Sequence, residues 1–137
     1  MINADMNNYL HSDISDIIIK SFYKVYNTLG FGFLEKVYEK ALYLELVKHD
    51  LAVHRQSPIK VFYDEIELGV YYADLLVNGK IIIELNAAEA LCEQHEAQLV
   101  NYLKASEIEI GILLNFGKKP EVRRKVFSEK FKKLKKS

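Results

Sequence analysis

A single cysteine, Cys92, is all the thiol chemistry the 137-residue chain has. No internal disulfide is therefore available, and the expected setting is a reduced, cytoplasmic one. Cys92 itself is expected to be partly buried and inert, although a reactive thiol would also fit. No charged-then-apolar leader opens the sequence, so no signal peptide is expected. The longest apolar runs, such as Ile110 to Leu114 broken by Gly111, are far too short to span a bilayer. No partnership with a membrane is expected.

Several common site signatures are missing too. Gly30 and Gly32 lack the Gly-Lys-Ser/Thr ending of a phosphate loop. No serine sits in a nucleophile-elbow pattern. His11, His49 and His54 show no ligand spacing, which disfavours a structural zinc site. His95, beside Glu96, is either an aid to a metal site or an ordinary surface histidine.

Net charge is absent as well, with 19 basic and 19 acidic residues. The zero hides an asymmetry. Residues 118–137 hold ten Lys or Arg against two Glu, a net +8, and residues 1–117 hold nine basic and seventeen acidic, a net −8. An acidic body thus carries a basic tail that either attracts phosphate backbones or is a solvated end.

What is present is a globular chain. Half of the residues are hydrophobic and tyrosine and phenylalanine are plentiful, which excludes disorder as the dominant state. The length suits one domain spanning 1–137, with a polar segment at 1–12 and the basic tail at 118–137. Ser12 or Asp13 is placed to cap a first helix, in which Ile18, Phe22, Val25 and Leu29 share one face. Gly30 then fits the left-handed position after the helix. A second helix is predicted from about Leu34 to His49, with Leu34, Val37, Tyr38, Ala41, Leu42 and Glu45 on a broad face. Glu35 lies on the flank of that stripe, either as a solvated edge or as a site residue.

After Asp50 the period becomes strand-like. Ile59, Val61 and Tyr63 alternate, Asp64-Glu65 reads as a hairpin turn, and Ile66–Val77 as the return strand with a bulge at Gly69. Asn78-Gly79 is the strongest turn signal, and Lys80–Leu85 is the next strand. Glu89–Ala105 reads as a helix with Leu99, Tyr102 and Leu103 in its core. Ile108–Phe116 reads as a central strand ended by Gly117. Val122–Phe127 reads as an edge strand guarded by its cations. Ser128 is placed to cap a short basic helix with Phe131 and Leu134. The aromatic residues fall mostly on core faces, so no base-stacking platform is indicated. The order α-α-β-β-β-α-β, with a mixed end, predicts an α/β (α+β) architecture: one mixed sheet flanked by helices.

Two carboxylates stand out because of their neighbours. Asp74 lies among Ala73, Leu75, Leu76 and Val77; Glu84 lies among Ile81, Ile82, Ile83 and Leu85. Burying such groups unpaired is expensive. A salt bridge to Lys80 or Lys104 would solve the problem, and so would a hard cation such as Mg2+ or Mn2+. Register decides whether the two meet. A two-residue loop pairs Val77 with Lys80 and puts them on opposite faces. A three-residue loop of Val77, Asn78 and Gly79 pairs Leu76 with Lys80 and makes them diagonal neighbours. The sequence permits both.

The segment Gly32-Phe33-Leu34-Glu35-Lys36-Val37-Tyr38 resembles the signature of the GxxExxY protein family, within the PD-(D/E)XK nuclease-like superfamily. The likeness continues through Tyr72–Val77, Ile83–Leu85, His95–Lys104 and Gly111–Gly117, covering roughly residues 13–127. It implies a restriction-endonuclease-like αβββαβ core and metal-dependent cleavage of nucleic acid. Asp74 and Glu84 would hold one or two Mg2+ or Mn2+ ions, with Glu35 approaching from the helix. Gln98 and Tyr102 resemble a QxxxY element of some nuclease branches. The motif's lysine position holds Asn86, which carries no charge and is no general base near neutral pH. Activation by metal alone, a lysine from elsewhere (Lys80 or Lys104), and loss of hydrolysis to leave a binding or assembly module all remain open. A homodimer through an exposed strand edge is a further candidate.

Overall fold

The computed structural model describes residues 10–127. The order is α1 (Ser12–Leu29), α2 (Glu35–Val47), β1 (Val53–Tyr63), β2 (Ile66–Val77), β3 (Ile81–Asn86), α3 (Glu93–Ala105), β4 (Ile110–Phe116) and β5 (Pro120–Val126). The strands form one sheet in the order β1-β2-β3-β4-β5. Only β3 and β4 pair in parallel, because α3 carries the chain across between them. The other neighbours are antiparallel. The expected mixed sheet flanked by helices is what the chain forms. The expected helix after Ser128 lies outside the described residues.

Two cores cover the sheet. On one face α1 and α2 bury Ile18, Phe22, Tyr38, Leu42 and Leu46 against Leu75, Ile83 and Phe116. On the other, α3 buries Leu99, Tyr102 and Leu103 against Ile59, Ala73, Ile82 and Leu113. β4 is buried throughout, as its largely apolar, uncharged sequence predicts. Gly111 is the point of closest approach. A Cβ there would sit 2.6 Å from Leu99 Cδ1, and Leu99 is itself fully buried. Gly111→Ala is therefore expected to lose ~1–3 kcal/mol in a urea melt by overpacking.

Several elements depart from the sequence reading. His11, not Ser12 or Asp13, is the N-cap of α1; it is left-handed and makes no side-chain cap. Gly30 has the positive φ expected of it (71°), and its N–H closes onto Tyr26 O. In α2, Leu34 is the extended N-cap and is 79% exposed, and Val37 is also exposed. Tyr38, Leu42 and Glu45 are buried as expected, joined by Glu39 and Leu46. The Tyr38 hydroxyl donates to Gly30 O (2.6 Å) and accepts from Phe33 N–H (3.1 Å).

α3 begins at Glu93 rather than Glu89. Asn115 binds both backbone groups of Ala88, and Glu121 accepts from Leu91 N–H, so residues 88–91 are held as a loop. Cys92 is the N-cap and is exposed, not partly buried as expected. β1 starts earlier than the alternation suggests and tolerates Pro58 because it is an edge strand. The Asp64-Glu65 turn is present, with both φ values positive. The bulge falls at Leu68, next to Gly69: Val61 pairs Gly69 and Phe62 pairs Glu67.

The aromatic residues are not confined to core faces. Phe62, Tyr63, Tyr71 and Tyr72 on the β1–β2 ribbon are all more than half exposed. The α1–α2 core takes Leu75 and Val77 from β2, and among the described residues neither core cluster includes these four aromatics. The first part of the basic tail is likewise no tail. It forms β5, where Arg123 and Lys125 pair with Glu96, and Arg124 donates to Leu10 O. Residues 128–137 lie outside the described residues.

Candidate metal-binding carboxylate site

Neither expected register is the one adopted. Val77 pairs with Ile81, Leu76 with Ile82 and Leu75 with Ile83, so the loop is Asn78-Gly79-Lys80. Asn78 and Gly79 both take the positive φ they tolerate (53° and 63°), and Asn78 Oδ1 accepts from Ala52 N–H. The slip is one residue from the two-residue hairpin. It brings Asp74 directly opposite Glu84, rather than onto the other face or a diagonal.

At that point the ladder gives way to side chains. Asp74 N–H donates to Glu84 Oε2 at 3.0 Å, and Leu85 N–H donates to Asp74 Oδ2 at 2.8 Å. On the other side, the β1–β2 ladder runs through Arg55–Leu75 and Ser57–Ala73 but is broken between them. Gln56 sits in that gap with φ 52°, a costly conformation for a non-glycine residue. Its amide nitrogen reaches Glu39 Oε1 (2.9 Å) and Asp74 Oδ1 (3.3 Å). The break also exchanges faces. Ala73 packs with α3, whereas Leu75 packs with α1 and α2.

Burial is the first cause of the electrostatics. It pushes the Glu84 carboxyl from its ordinary value of 4.5 up to about 8, with the Asp74 charge adding to the push and the Asp74 N–H bond opposing it. Burial also raises Asp74, against the bonds from Leu85 N–H and Gln56, and with the charges of Glu39 and Glu35 raising it further. Both shifts run the same way, so each carboxyl holds its proton to a higher pH than a solvated one. Among the described residues neither makes an ion pair with Lys, Arg or His, so the salt-bridge solution is not the one used. Lys104 is turned toward the Phe127 ring, 5.8 Å away.

The other expected site residues fall in different places. Glu35 is the exposed first residue of α2, and its charge acts on both Asp74 and Glu84. Among the described residues no three Asp, Glu, His or Cys side chains gather closely enough to hold an ion by themselves. Asn86 ends β3 opposite Asn115, half-buried. Gln98 donates to the Tyr102 hydroxyl at 2.8 Å. Burial raises Tyr102, and Glu84 and Asp74 raise it further, so the phenol stays protonated within reach of the same field. His95 does not join this group: its Nδ1 accepts from Cys92 N–H (3.0 Å) and caps α3.

Sequence reasoning missed Glu39 and Gln56. Glu39 is 8% exposed and is bonded by Arg55 Nε (3.2 Å) as well as by Gln56. Its one available signal is the spacing of four from Glu35, which sets two like charges on one side of a helix. Gln56 carried no signal, because its role comes from a backbone break.

The residues present fit a divalent cation. Asp74 and Glu84 offer hard oxygen donors, make no ion pair among the described residues, and are desolvated, which favours a cation or a proton at the pair. One mixed sheet flanked by helices, with Asp74 and Glu84 meeting across adjoining strands, is an α+β architecture. The match of the PD-(D/E)XK nuclease superfamily to residues 12–125 makes the chain a member of that superfamily. Comparison with curated proteins and with solved structures gives no match.

Proposed function

We propose that the protein is a metal-dependent nuclease that hydrolyses phosphodiester bonds, with Asp74 and Glu84 holding Mg2+ or Mn2+. The observation that carries this reading is the facing pair of desolvated carboxylates with no basic partner among the described residues. A bound divalent ion would lower the pKa of a water and stabilise charge on the phosphate. The chain's own groups do the positioning. Leu85 N–H and the Gln56 amide orient Asp74, and the Asp74 N–H orients Glu84. Gln98 fixes the Tyr102 phenol, which keeps a proton to donate to a phosphate oxygen. Within the superfamily, the spacing of Gly32, Glu35 and Tyr38 supports reading the chain as a GxxExxY protein.

Asn86 gives the competing reading its basis. A neutral amide stands at the motif's lysine position, and among the described residues no lysine or arginine makes an ion pair with the two carboxylates, which also suits a binding module without hydrolysis. The two readings separate in one experiment. Single- and double-stranded DNA and RNA are incubated with Mg2+ or Mn2+, and metal binding is followed by calorimetry. Cleavage and heat release that both vanish in Asp74→Ala are expected. Metal binding without cleavage of any of the four substrates would leave the binding module as the better account.

A further inference from the structure

A groove of about 1250 Å³ runs between the β1–β2 ribbon and α3. That exceeds the ~300–1000 Å³ of ordinary small-molecule pockets and suits a length of polymer. Phe62 and Tyr71 line it from the ribbon, and Gln94, Gln98 and Asn101 line it from α3. We propose that this groove takes unpaired bases of a single-stranded nucleic acid, stacked on Tyr71 and Phe62, with the adjoining phosphodiester at Asp74 and Glu84. The placement of the phosphodiester rests on the nuclease reading; the binding of bases does not.

Three observations select this occupant. The first is aromatic exposure. Phe62 and Tyr71 are 55% and 52% exposed, and every base offers a π-face to such rings. The second is charge. The ionic lining residues are Asp64, Glu65 and Lys104, an acidic excess, and Lys104 is engaged over Phe127. Such a lining repels a phosphate chain and accepts neutral bases, whose edges the α3 amides can both donate to and accept from. The third is continuity. Tyr102 also lines the groove, its ring is 6.0 Å from that of Tyr71, and it packs in one core cluster with Ala73, the residue next to Asp74. A duplex keeps its bases stacked inside and cannot present them here.

The test is fluorescence anisotropy with the full chain in EDTA at low salt, so that binding is read apart from cleavage. The probes are a labelled oligodeoxythymidylate and an abasic strand of the same length. Tighter binding of the base-bearing strand is expected, and Tyr71→Ala or Phe62→Ala should each weaken it about five- to a hundredfold. Tyr71→Phe should restore it, and abasic binding should not change. Equal affinity for the two strands, no binding of either, or indifference to both alanine variants would overturn the proposal. So would a dimer in sedimentation that Tyr71→Ala dissociates without any base-dependent binding, since the groove would then belong to a second copy. If base-dependent binding persists while the cleavage assay is negative, the groove assignment stands and the nuclease reading fails.

Discussion

Glu84→Gln should make the metal-free protein more stable at pH 8.5 than the wild type, while lowering metal-dependent cleavage by more than about a thousandfold. The sign follows from the raised acidity constant. The folded-state value is about 8, above the ordinary 4.5. Between those two values the folded protein keeps a proton that the unfolded chain has released. Stability is thus fully present below about 4.5 and is lost as pH rises toward 8, with a slope of up to ~1.4 kcal/mol per unit. Asp74 is raised too and acts in the same sense. A glutamine removes the Glu84 titration but still offers an oxygen to the Asp74 N–H. Its melting temperature should exceed the wild type's by several degrees at pH 8.5, with the gap closing near pH 5. Mg2+ should raise the wild-type melting temperature and leave that of Glu84→Gln where it was. Identical pH profiles for the two proteins would mean that Glu84 is solvated and ordinary.

Tyr38 carries the second large effect. It is fully buried, lies 4.1 Å from the Phe116 ring in a near-parallel stack, and serves two backbone groups at the start of α2. Tyr38→Phe keeps the ring but strands Gly30 O and Phe33 N–H, at a cost of ~1–3 kcal/mol. Tyr38→Ala also opens a cavity and should cost ~3–5 kcal/mol. Urea melts read both. The phenylalanine variant should also lose part of its cleavage rate, because Glu35 and Glu39 are placed by the turn that Tyr38 pins. A phenylalanine variant as stable as the wild type would show that water satisfies those groups equally well. The tyrosine of the GxxExxY segment is in this account a structural residue, and its glutamate supplies field.

The readable and unreadable parts of the sequence divide along a physical line. The uncharged, largely apolar stretch of β4, the Asp64-Glu65 turn and the positive φ of Asn78 and Gly79 are local properties, and the chain adopts them as read. Asp74 and Glu84 stood out because their flanks are apolar, and they do meet. The register that joins them was not readable. Moving Lys80 from the strand into the loop shifts every pair by one, and no local preference decides it. Leu34 and Val37 fit the apolar stripe of α2 but lie exposed at its first turn, while Tyr38 and Leu42 of the same stripe are buried. The α3 start was set by Asn115 and Glu121, more than 20 residues downstream. Gln56 and Glu39 depend on a break in a ladder, which is visible only once both strands exist.

That break has a mechanical consequence. Because Ala73 serves one core and Leu75 the other, the sheet changes allegiance within a single residue, and Asp74 stands at the crease. Mutual repulsion of the two acids there works to pry the ribbon away from the rest of the sheet. Whatever cancels that repulsion, proton or cation, acts as a rivet through both layers at once. The oxygen atoms on which the proposed chemistry rests are thus also those that would hold the two layers together.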